Sequence, residues 1–147
     1  MLKKFWTNMM VDDIHATFDF YRTALGFEHV MSMPAYSARA EDVLFEYDAS
    51  KPLIYALVRH GDVELMFQER ASLQEDVPAF ADAQATGGTL TFYFGVDDVD
   101  ALAARLKSVC EVVRDLHDTF YGMREIYVRD LNGYVLCFGQ DMTESVS

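Results

Sequence analysis

Apolar positions along this chain alternate with two periods, one of two residues and one near 3.6, and the order of the two patterns recurs once. A strand-like stretch ends in Val11-Asp12-Asp13-Ile14, and a second ends in Val96-Asp97-Asp98-Val99, 85 positions later. Paired aspartates after a strand cap a helix, because their carboxylates accept from its unpaired N–H groups and face the positive end of its dipole. Ile14, Phe18, Tyr21 and Leu25 then recur at helical spacing up to Gly26, which predicts a helix over 13–25. Val99, Leu102, Ala103 and Leu106 predict a shorter one over 98–108. Each helix leads into a strand, 27–33 and 111–116, and then into a hairpin. The hairpins are 53–58 with 63–68 around Arg59-His60-Gly61-Asp62, and 123–128 with 134–139 around Asp130-Leu131-Asn132-Gly133.

Side chains alternate across a strand, so the apolar set marks the face under the helices. Phe5, Thr7, Met9 and Val11 are assigned there, as are Val63, Leu65, Phe67, Leu90, Phe92, Phe94, Val96, Ile126, Val128, Tyr134, Leu136 and Phe138. The opposite face receives Trp6, Asn8, Met10, Glu64, Met66, Gln68, Thr91, Tyr93, Glu125, Tyr127 and Cys137. Rings and methionines mixed with a few polar groups suit a concave ligand site. They also suit a subunit interface.

Residues 70–87 read as a linker with room for a short helix, dividing a first half of about 1–69 from a second of about 88–140, with a tail at 141–147. The segment 34–50 has no counterpart in the second half and is either a flap over a site or a tolerated insertion. The whole is expected to be one domain.

The chain has 24 acidic and 12 basic residues and a formal charge of −12, which opposes binding to nucleic acid or anionic lipid and favours a cationic ligand. No apolar run nears the ~18 residues of a membrane span, and no signal peptide is evident, so a cytoplasmic protein without membrane partners is expected. Cys110 and Cys137 form no CxxC or zinc-spaced group. His15 falls on a helix, His29 at a strand start, His60 in a hairpin and His117 in a loop, all read as surface or packing residues.

Several motifs in this order resemble the vicinal oxygen chelate superfamily, the glyoxalase, bleomycin-resistance and dioxygenase group. They are Val11-Asp12-Asp13, Phe20-Tyr21-Arg22-Thr23-Ala24-Leu25-Gly26-Phe27-Glu28, Val96-Asp97-Asp98-Val99-Asp100-Ala101-Leu102, Tyr121-Gly122-Met123-Arg124-Glu125, and Arg129-Asp130-Leu131-Asn132-Gly133-Tyr134. The resemblance implies an α+β fold of two βαβββ modules, whose curved mixed sheet surrounds a U-shaped cavity, commonly in a homodimer. It also implies metal ligands, typically two His and two Glu, on four strands. The matching positions here are Trp6, Glu64, Thr91 and Cys137, with Glu64 reached only after a one-residue hairpin shift. Only the glutamate is of the expected type, so no metal or other cofactor is expected.

Two functions follow as expectations. The first is a binder of a small aromatic or cationic molecule in the inter-module cavity, as in metal-free bleomycin-resistance-like members. Trp6, Tyr93 and Tyr127 would stack against the ligand, Glu64 and Glu125 would anchor its charge, and Asn8, Met10, Met66, Thr91 and Cys137 would line the site. The second is a divergent lyase, isomerase or dioxygenase in which Glu64, its pKa raised by burial, acts as base or metal ligand. A metal held by Glu64, Glu125 and Cys137 would depart from the family pattern.

Overall fold

The structure, a computed structural model, describes residues 1–36 and 39–143. Ser37 and Ala38 of the 34–50 segment, and most of the 141–147 tail, lie outside these residues. The chain forms two compact units, Met1–Thr86 and Gly87 onward. Each is one βαβββ module with its own four-stranded mixed sheet, and the fold class is α+β.

In the first module, β1 (Thr7–Val11) leads into α1 (Ile14–Leu25), followed by β2 (Glu28–Pro34), β3 (Leu53–His60) and β4 (Val63–Glu69). The order is β1-β4-β3-β2, with β1 parallel to β4 and the other pairs antiparallel. Asp13 caps α1 by accepting from the Ala16 amide at 3.0 Å, and Gly26 ends it in the left-handed region at φ 77°. Ile14, Phe18 and Tyr21 of α1 are buried, and the Tyr21 ring lies 5.1 Å from that of Phe67 on β4.

The second module repeats the plan with β5 (Thr91–Gly95), α3 (Val99–Leu106), β6 (Glu111–Asp118), β7 (Met123–Arg129) and β8 (Val135–Asp141), in the order β5-β8-β7-β6. Asp98 caps α3 by accepting from the Ala101 amide. Leu102 and Leu106 are buried with Ile126, Val128, Leu136 and Phe138.

Several sequence expectations need correction. β1 and β5 begin later than the apolar pattern suggested, so Phe5 and Leu90 lie outside them and are exposed, as is Val63 at the tight Gly61-Asp62 turn. The two hairpins also differ: His60 pairs with Val63 across a two-residue turn, whereas Arg129 pairs with Val135 across five residues. In the longer turn, Asp130 Oδ1 accepts from the amides of Asn132 and Tyr134, both at 2.9 Å. Residues 70–86 fall in the first unit and carry α2 (Arg70–Asp76), the short helix for which the sequence left room, capped by Glu69 and packed against β1 and β4.

Candidate functional site

Register places the polar-and-aromatic set on one face of each sheet. In the first module Glu64 pairs with Arg59, Met66 with Leu57 and Gln68 with Tyr55, and Asn8 and Met10 of β1 lie beside Met66 and Gln68. Met31 and Met33 of β2 extend the same rows through Leu57 and Tyr55. This face has two ends with different chemistry.

At one end, Glu64 is enclosed by donors. Lys4 Nζ lies 2.9 Å from Oε1, Trp6 Nε1–H donates to Oε2 at 2.5 Å, and Arg59 reaches Oε1 at 3.0 Å. Lys4 also sits 4.6 Å from the centre of the Trp6 ring. The hydrogen bonds from Lys4 and then Trp6 hold the Glu64 carboxyl at about 2, far below its ordinary 4.5. This corrects the expectation of a raised value. Burial does act upward, but two cations and an indole N–H outweigh it, so Glu64 is a poor base near neutral pH and has no charge left to anchor a cation.

Because folding depresses this pKa, the stabilisation it carries is complete above about 4.5 and is lost as pH falls toward about 2. Acid denaturation of the native protein should therefore show a component across this window that Glu64→Gln removes. Identical acid limbs, measured by circular dichroism, would count against the clamp.

At the other end lies a cleft of about 500 Å³. Met31, Met33, Val43, Ile54 and Tyr55 form its apolar walls, and Gln68, Ser72, Glu75 and Asp76 its polar end. The Gln68 amide is fixed from both sides: Oε1 accepts from Asn8 at 2.8 Å, while Nε2 donates to Ser72 at 2.9 Å and Asp76 at 2.7 Å. Asp76 and Glu75 close the C-terminal turn of α2, where the helix dipole is negative as well. Met10 does not line the cleft; α2 packs against β1, and Met10 is only 6% exposed.

Within the 34–50 segment, Leu44 and Tyr47 are held by hydrogen bonds to the rest of the first module. Leu44 exchanges backbone hydrogen bonds of 2.9 and 2.8 Å with Ser32, which places Val43 at the cleft. His15 holds the far side, its Nε2–H donating to the Lys51 carbonyl and its Nδ1 accepting from the Tyr47 hydroxyl, both at 2.6 Å.

In the second module a cross-strand row runs Gly95, Gly139, Glu125, His117, beside a row of Tyr93, Cys137 and Tyr127. Glu125 is 1% exposed, accepting from the Tyr93 hydroxyl at 2.6 Å and from Tyr121 at 3.0 Å to each oxygen. Tyr93 reaches it by crossing Gly139, where a β-carbon would fall 2.1 Å from the Tyr93 hydroxyl. Burial and then the bond to Glu125 raise the Tyr93 pKa well above the usual phenol value. Tyr127 rises to about 12 through its hydrogen bond with Cys137, and burial lifts Cys137 to about 11, so that side chain is a thiol and a weak nucleophile. Thr91 is exposed at the sheet end, apart from this cluster.

The sequence reading missed His117 and Tyr121 here, and Tyr55, Met31, Met33, Asp76 and Glu75 in the first module, and although Gly139 follows Cys137 on the same face it was given no role in the site. His117 belongs to β6 rather than to a loop. A glycine inside a strand is itself a sign of close approach by another group, and Gly139 carried that signal.

The positions implied for metal ligands do not fit a divalent ion. Trp6 presents an N–H already donated, both Glu64 oxygens are bound by donors, Thr91 offers a hydroxyl, and Cys137 is protonated. Among the described residues no group of three or more His, Cys, Asp or Glu side chains converges as a metal site.

Comparison with known proteins places this geometry. A family model described as Glyoxalase/Bleomycin resistance protein/Dioxygenase superfamily matches residues 5–138. No curated protein sequence matches the chain. Among solved structures, TioX from Micromonospora sp. ML1 is 19% identical with a TM-score of 0.65, covering 95% of this chain and 99% of its own. A lactoylglutathione lyase from Agrobacterium tumefaciens is 22% identical with a TM-score of 0.64, covering 95% and 94%. A glyoxalase/bleomycin resistance protein/dioxygenase family enzyme from Burkholderia phytofirmans PsJN is 16% identical with a TM-score of 0.69, covering 92% and 96%. At these identities the likeness is one of fold.

Proposed function

The chain belongs to the glyoxalase/bleomycin resistance protein/dioxygenase superfamily, and from that premise we propose that it is a small-molecule binder whose ligand carries an apolar body and a cationic end. The observation that supports this reading is the first-module cleft, with methionine and tyrosine walls leading to Asp76 and Glu75. Methionine adapts to irregular apolar shapes, and a carboxylate at a helix C-terminus favours a positive group. The ligand's cationic end meets Asp76 and Glu75 rather than Glu64, which Lys4 and Arg59 already neutralise.

The reading as an enzyme with Glu64 as base has less support, since a carboxyl held at about 2 takes up almost no proton near neutrality.

The test is calorimetry with phenethylammonium and its neutral counterpart phenethyl alcohol, in metal-free buffer. The cation is expected to bind about tenfold tighter, a difference of about 1.4 kcal/mol. Asp76→Asn should remove most of that preference, and Met33→Trp should abolish binding of both by filling the cleft. Equal affinity for the two probes, or binding unaffected by Met33→Trp, would refute the proposal.

A further inference from the structure

Ligand binding in the first-module cleft makes no use of the most buried carboxylate in the second module. Two sides of Glu125 are occupied by the hydroxyls of Tyr93 and Tyr121. On its remaining side, His117 Nε2 lies 3.8 Å from Oε1. That imidazole is held in a fixed orientation: it pairs across the sheet with Glu125 and stacks on Tyr127, with ring centres 6.1 Å apart and planes 12° from parallel.

The tautomer follows from one contact. His117 Nδ1 is 2.8 Å from the Asp115 carbonyl oxygen, and a carbonyl only accepts, so Nδ1 carries a hydrogen. Nε2 is then either a bare lone pair or a second N–H. It is buried and has no hydrogen-bond partner among the described residues. If bare, it sets one acceptor against another, with a carboxylate oxygen across the gap. With a hydrogen on Nε2 the same pair of atoms attract as imidazolium and carboxylate. The arrangement is one hydrogen short of being satisfied.

We propose that His117 and Glu125 form a proton-binding site, holding one proton on Nε2 against Oε1. Uptake forms one N–H bond and turns a cluster of charge −1 into a neutral pair. Release breaks that bond and passes the proton to water, leaving the carboxylate charge behind the exposed rings of Tyr93 and Tyr121.

The other groups around the pair leave the exchange to it. On β6, Asp115 is bound by Lys107 and Asp118 by Arg124, which also reaches Asp100. Tyr93 on β5, Tyr121 in the β6–β7 turn, Tyr127 on β7 and Cys137 on β8 all have their pKa values pushed up, chiefly by burial and, for Tyr127, by its bond to Cys137. They remain protonated through the range in which imidazoles exchange.

The test is nitrogen NMR of the full chain labelled with ¹⁵N-histidine, with His117 assigned by loss of its signals in His117→Asn. At pH 7, Glu125→Gln is expected to lower the ratio of protonated to neutral His117 at least tenfold, while Nδ1 keeps its hydrogen in both proteins. Tyr121→Phe, an exposed change that strips a donor from the carboxylate, is expected to raise the ratio, and it decides the matter should Glu125→Gln fail to fold. An unchanged ratio in the folded Glu125→Gln protein would overturn the proposal. So would an unchanged ratio in Tyr121→Phe, or a native Nε2 that is bare and bonded to water.

Discussion

Gly139→Ala is expected to destabilise the protein by about 2–4 kcal/mol, although it adds a single methyl group to a strand. The backbone there is not in the left-handed region, so alanine meets no conformational penalty. The obstacle is Tyr93, whose hydroxyl and adjoining ring carbon would lie 2.1 and 2.7 Å from the new β-carbon. The ring has to leave, and with it goes the 2.6 Å bond to Glu125. A hydrogen bond to a charged group contributes about 1.5–3 kcal/mol, and overpacking adds about 1–3 where the neighbour cannot clear fully. The attribution is checked by a double-mutant cycle in urea: in a Tyr93→Ala background, Gly139→Ala should add less than about 1 kcal/mol. A full additional penalty there would place the cost in the backbone instead of the ring.

Phe67→Ala should be costlier still, at about 3–5 kcal/mol, while Phe5→Ala should stay within about 0.5 kcal/mol. Period-two alternation assigns both rings to the same core. Yet Phe67 is fully buried against Tyr21, and Phe5 is 84% exposed because β1 begins at Thr7. Denaturation midpoints of the two variants would separate a residue inside the hydrogen-bonded ladder from one that only shares its pattern. Similar losses for both would contradict the burial described above.

The comparison between these two residues shows how far sequence carries. The βαβββ repeat, both aspartate caps and the faces of the central strands were legible, because burial imposes a period that a reader can count. Strand ends were not: Phe5, Val63 and Leu90 continue the alternation past the point where pairing stops. In the site, Tyr93, Glu125, Tyr127 and Cys137 were correctly placed on a common face, since register follows from alternation. Their partners were harder to read. His117 meets Glu125 through a register irregularity in β6, and no local pattern signals that. The state of Glu64 was misjudged because Arg59, read as part of the turn, is its cross-strand partner on β3, and because Lys4 approaches from 60 positions away in the chain. Long-range charge pairing leaves no periodic trace.

The portions of chain that interrupt the internal symmetry, the span holding Val43 and the helix ending in Asp76, are also those that shape one wall of the cleft and its charged mouth. Exchanging residues there leaves the ladders of β1 to β8 and the aspartate-capped helices α1 and α3 in place. If the cleft binds as proposed, its selectivity can change on an unchanged scaffold, so proteins with this fold that are identical at about a fifth of their positions need not share a ligand.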